Sequence, residues 1–254
     1  MLSNDLLRAN LNLYAVLQNL EELVQVDAEM AELAKDWALS VQFLVWGGPK
    51  AFVAFEKGVC THGRGTCPRP TVRLFLTSPG HLNRMFDGGA NPIPLKGFGR
   101  LGFLKNEFGR LTDRLGHYLR PRPELLEDAG YRRINAMLTL QTAAFAVKEL
   151  ALLEPTSKAV ASRIPDGTFQ IGILPDGPYV YLAFADGAVS VHKGKTERPT
   201  ALMTFRDSEV ASAVLNDRLD AFLAVTEGDV VLKGQIKIPD NVNLILDRVA
   251  RYLS

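Results

Sequence analysis

The tightest cluster of chemically versatile side chains is Cys60, His62 and Cys67, in the stretch CTHGRGTCPRP. Two thiols and an imidazole within eight residues are soft ligands of the kind that hold zinc, but a closed zinc site needs a fourth, and none stands nearby. The chain has four histidines in all, His62, His81, His117 and His192. Nucleophilic catalysis needs a nucleophile beside a base, and acid–base work needs paired groups of shifted pKa. No serine elbow, phosphate-cradling glycine loop or dinucleotide fingerprint sets up such a pair. The run GFGRLG at 97–102 mimics a dinucleotide motif but does not join a strand to a helix in the required way. The expectation is a protein with no catalytic residues, no bound metal and no cofactor.

The elements that would carry these residues belong to an ordinary globular chain. It has 254 residues, 47% hydrophobic and 22% charged. A net charge of +1 provides no global field to draw in nucleic acid. Basic residues do crowd residues 84–114, as Arg84, Lys96, Arg100, Lys105, Arg110 and Arg114, which reads first as a solvated face and second as a contact for an anionic headgroup or the phosphates of an acyl-CoA. Two cysteines make no disulfide framework, so a reducing, cytoplasmic setting is expected. The first residues, MLSNDLLRANLNLY, lack the order of a signal peptide. The longest charge-free apolar helix, INAMLTLQTAAFAV, has 14 residues against the roughly 20 that span a bilayer. No transmembrane segment is expected.

The chain repeats itself. LTDRLGHYL at 111–119 and ILDRVARYL at 245–253 share Asp-Arg and Tyr-Leu at one spacing. Displaced by 129 without a gap, residues 40–86 lie over 169–215 with nine identities, five of them Gly or Pro, the residues that fix turns. Past Phe86 the second copy has about eight more residues before its Lys-Gly pair, and the closing helices align at an offset of 134. RPRPE at 120–124 marks the seam, giving domains 1–120 and 121–254.

Within the second copy TFQIGIL, YVYLAFA, AVSVH and TALMTF read as strands separated by PDGP, Asp186-Gly187 and KGKTERP. Asp207 caps a helix over 208–215, as Ser78 does ahead of Pro79 in the first copy. DVVLKGQIKI alternates with period 2, placing Val230, Leu232, Ile236 and Ile238 on one face with Gly234 among them. Leading helices over 4–38 and 124–153 precede each copy.

Helices, a meander, a short helix, then AFLAVTEGDVVLKGQIKIP and a closing helix resemble the sterol carrier protein 2 (SCP2-like) sterol-binding family. The specific residues are Leu219, Ala221, Phe222, Gly228, Lys233 and Gly234, preceded by TALMTFRD. The first copy keeps LKG at 95–97 but lacks the L-x-A-F helix, and is read as shortened. The resemblance implies an α/β (α+β) fold of two tandem SCP2-like units, each a mostly antiparallel curved sheet covered by helices. It also implies an apolar tunnel for a lipid, fatty acid, acyl-CoA or sterol-like molecule, hence a non-catalytic lipid-transport protein. Candidate ligand-binding residues are Met203, Phe205, Leu215, Leu219, Phe222, Leu223, Leu232 and Ile236. Two rival readings remain: a filled scaffold that binds a protein partner or a second copy of itself as a homo-oligomer, and an accessory component of an enzyme system.

Overall fold

The computed structural model describes residues 3–253, which form two compact units, Met1–Arg120 and Pro121–Ser254. The first begins with a helical arm, α1 (Asn4–Leu11), a π-helical turn over Asn12–Val16, a 3-10 turn and α2 (Leu20–Val26), followed by α3 (Ala28–Ala34). Strands β1 (Leu39–Val45), β2 (Lys50–Glu56), β3 (Val59–Arg64) and β4 (Val72–Leu76) lead into α4 (Pro79–Phe86) and β5 (Ile93–Lys96). Helices α5 (Leu101–Lys105) and α6 (Glu107–Leu119) close the unit. The sheet order is β3-β2-β1-β4-β5; only the β1–β4 pair is parallel.

The second unit repeats this plan. A single long helix, α7 (Ala129–Leu153), replaces the broken arm, and α8 (Pro155–Ala161) replaces α3. Strands β6 (Gly167–Ile173), β7 (Tyr179–Ala185), β8 (Ala188–Lys193) and β9 (Ala201–Phe205) precede α9 (Ser208–Leu215) and α10 (Ala221–Thr226). Strand β10 (Val230–Gly234) and α11 (Lys237–Leu253) complete it, in the sheet order β10-β9-β6-β7-β8. Helix α7 runs well past the 14-residue apolar stretch seen in the sequence. By length and composition it could cross a membrane, yet more than half of its most apolar window is buried. It packs on α8, α9, α11, β7 and β8 as the core helix of its unit.

In both units strand alternation puts one face under the helices. Val41, Phe43, Val53, Phe55, Val72 and Leu74 are buried there in the first, and Phe169, Ile171, Val180, Leu182 and Phe184 in the second. The registers correct the ungapped repeat. Leu39 pairs with Phe55 and Gly167 with Phe184, so the first strands correspond at an offset of 128, not 129. The turn after β6 is one residue longer than the turn after β1, and all nine identities lie beyond that point.

The strand read through DVVLKGQIKI stops at Gly234, and the helix begins at Lys237. Ile238 is buried as a helix residue with Val242 and Ile245, while Ile236 lies in the exposed connection. The reason is Gly234 itself, at φ +87°, where an added Cβ would stand 2.2 Å from the Thr200 carbonyl oxygen. Gly97 occupies the same position at the same φ against Thr71. Each threonine is locked to the first strand by a reciprocal pair of bonds. Thr71 N–H donates to Ser40 Oγ and Ser40 N–H to Thr71 Oγ1; Thr200 N–H and Thr168 N–H exchange the same bonds through Thr168 Oγ1 and Thr200 Oγ1. The Lys-Gly pair therefore serves a close backbone crossing, which only glycine permits.

The repeated Asp-Arg…Tyr helices also have a structural meaning. Asp27 caps α3 by accepting from Met30 N–H, and its other oxygen receives Arg114 Nε at 2.7 Å and Tyr118 Oη at 2.8 Å from α6. Glu154 caps α8 through Ser157 N–H and is held by the Arg248 guanidinium from α11. Burial alone would raise both carboxyl pKa values, but the arginine and N–H donors outweigh it and hold each below its ordinary value. Tyr118, desolvated and bonded to the Asp27 carboxylate, is pushed up to about 12.

A carboxylate with a depressed folded pKa stabilises fully above its unfolded value and loses that contribution as pH falls through the folded one. Asp27→Asn should therefore cost about 2–4 kcal/mol near neutrality, with the gap to wild type closing as pH falls below the ordinary Asp27 value of 3.8. Urea unfolding at pH 7 and pH 3 reads both halves. Gly234→Ala forces a left-handed alanine into a carbonyl and should cost on the order of 2–3 kcal/mol; unchanged urea midpoints would contradict the crossing.

Candidate functional site

The chemically versatile cluster does not converge. Cys60 is buried on the helix-covered face, opposite Phe55. Cys67 lines the other face, its N–H donating to Gln42 Oε1. His62 Nε2 is bonded to the Leu13 carbonyl. Among the described residues no group of three or more His, Cys, Asp or Glu is arranged to hold a metal. His192 stacks on Tyr181, with ring centroids 4.8 Å apart, and meets Ser190 Oγ at 3.0 Å on one exposed strand.

The eight residues singled out for ligand binding fall into two sets. Leu232 is the register partner of Met203, and Phe205 that of Val230, so all lie on the helix-covered face of β9 and β10. Phe205 is buried; Met203, Leu232, Leu215 and Leu219 are half-buried. The elements around them are α9 over β9, α10 over β10 and α11 against β9. Large apolar side chains stay partly open at this corner.

The second set sits further out. The sequence places Leu219, Phe222 and Leu223 on one helical face turned to the sheet. Instead Asp220, extended at ψ 128°, caps α10 by accepting from Leu223 N–H, so Leu219 precedes the helix and is out of phase with it. Small Ala224 is the buried contact. Phe222 is 77% exposed, and Leu223 and Ile236 are exposed too. These three rim the half-buried set and do not line it. In the first unit only six residues, Asp87 to Pro92, join α4 to β5, and no helix lies there. That unit places α5 beyond β5, with Phe103 edge-to-face against Trp37 at 4.8 Å.

A feature the sequence reading passed over is the uncovered face of the first sheet. A cleft of about 800 Å³ opens there, floored by Gln42, Leu44 and Phe75 and bounded by Trp46, Lys50 and Arg73. The available signal was a tryptophan beside the turn Gly47-Gly48-Pro49.

No family model and no curated protein matches the chain. Among solved structures it is similar to a "UbiJ-SCP2 ubiquinone synthesis protein", at 15% identity over 42% of this chain and 94% of that one, with a TM-score of 0.33. It is also similar to the sterol carrier protein domain 2 of Helicoverpa armigera, at 12% over 46% and 91%, TM-score 0.35. A third is palmitated SCP2L2 of Aedes aegypti, at 18% over 39% and 86%, TM-score 0.30. The chain is thus similar to SCP2 domains, and its own α/β architecture consists of two five-stranded sheets, each with helices on one face.

The two sets should separate by stability. Phe205→Ala opens a cavity in the core and should cost about 3–5 kcal/mol, whereas Phe222→Ala should stay within about 0.5 kcal/mol. Denaturant midpoints of the two variants decide this; equal losses would place Phe222 in the core.

Proposed function

We propose that the chain is a non-catalytic, cytoplasmic carrier of an apolar molecule — a lipid, fatty acyl chain or sterol-like compound — held at the α9–α10–β10 corner of the second unit. The observation that carries this reading is the half-burial of Met203, Leu215, Leu219 and Leu232 beside buried Phe205, with Phe222, Leu223 and Ile236 exposed around them. Apolar side chains concentrated in this way mark a surface that gains from being covered. A protein partner seated on Phe222 and Leu223 is the competing reading, since both are exposed before anything binds.

Displacement of a fluorescent fatty acid from the full chain tests it. Phe222→Gln and Met203→Gln should each weaken binding roughly tenfold to a hundredfold, from the 1.5–3 kcal/mol that covering such a side chain is worth. Because Phe222 is exposed, its variant should keep the wild-type unfolding midpoint, separating lost binding from lost fold. Binding unaffected by either substitution, or no binding by a folded wild type, would remove the ligand from this corner.

A further inference from the structure

We propose that the uncovered face of the first unit's sheet docks on an anionic lipid bilayer. Strand alternation leaves Leu44 and Phe75 on the face away from the helices, next to each other across the β1–β4 pair. Ile93, the register partner of Phe75, extends the row to the edge strand. Trp46, 72% exposed at the end of β1, lines the same cleft as Leu95. The chain then carries exposed Phe98 and Leu101 into the start of α5. Large apolar side chains thus stand exposed on a turn, an edge strand and a short helix.

The charge around them has one sign. Lys50 and Arg73 are the only charged residues lining the cleft, and neither has an ion pair among the described residues. Lys96, Arg100 and Lys105 follow, and between Asp87 and Glu107 there is no acidic residue. Tryptophan and phenylalanine among lysines and arginines suit the headgroup layer: the rings enter the acyl boundary while the cations meet lipid phosphates.

The fold itself does not ask for these residues. At the corresponding register positions of the second sheet, Gly172 stands for Leu44, Tyr179 for Lys50, Leu202 for Arg73 and Thr204 for Phe75. There the Tyr179 ring lies over Gly172 and carries Lys195 above it at 4.1 Å. The same sheet folds with other residues at these four positions, so the set Leu44, Lys50, Arg73 and Phe75 is particular to the first unit.

The test is co-sedimentation of the full chain with vesicles of phosphatidylcholine, with and without phosphatidylglycerol, read also by tryptophan emission. Trp37 is packed edge-to-face between Phe55 and Phe103 at 5.0 and 4.8 Å, so Trp46 is the reporter of a changed environment. Expected are partitioning to the anionic vesicles with a blue shift, weakening with salt, and a loss of about fivefold for each of Lys50→Gln, Arg73→Gln and Arg100→Gln. The pair Trp46→Ser and Phe98→Ser should abolish binding while circular dichroism stays native, because both side chains are exposed. Absence of binding, equal binding to neutral vesicles, indifference to these substitutions, or a Trp46-dependent dimer in place of vesicle binding would each overturn the proposal. The fatty-acid displacement above reads the second unit, so the two ideas fail separately.

Discussion

Each unit depends on one buried contact, an acidic helix cap gripped by an arginine from the last helix. Asp27 with Arg114, and Glu154 with Arg248, join the first helical layer to the final element across 87 and 94 residues of chain. A lone buried carboxylate would be expensive to desolvate, and here it carries two tasks at once. It satisfies N–H groups at the start of a short helix and anchors a long amphipathic one. The sheet lies between elements that this contact fixes, so its helix-covered face is defined by it.

With the layers fixed, differences between the copies collect where the contact does not reach. The leading arm breaks at a π turn in the first unit and runs straight as α7 in the second. Insertions fall on opposite sides of the edge strand, α10 before β10 and α5 after β5. One corner therefore gains a second helical wall, while the other unit gains exposed apolar residues on its outer margin.

Much of this was legible in the sequence. Turn glycines and prolines marked where the strands begin and end, Ser78 and Asp207 marked helix starts, and the shared Asp-Arg…Tyr pattern pointed at paired closing helices. What misled was phase. Asp220 resets the helix after Leu219, so spacing alone turned Phe222 inward. Gly234 ends a strand whose alternation continues for four residues on paper, because Thr200 lies too close for anything but glycine. The missing residue in the repeat hid in a turn, where nothing but strand pairing reveals it. The Asp27 and Glu154 grips could not be read at all, since the partners are distant in sequence and one is a glutamate where the other is an aspartate.

That distance has a consequence for synthesis. A unit whose first and last layers are tied by a buried long-range pair cannot finish folding until its closing helix has left the ribosome. In a tandem chain this sets an order of events. Arg114 emerges while most of the following 134 residues are still untranslated, an interval on the order of ten seconds at the usual elongation rate. The earlier copy can thus seal on its own Asp27 before the rival arginine, Arg248, exists, and two halves of one plan avoid exchanging their final helices.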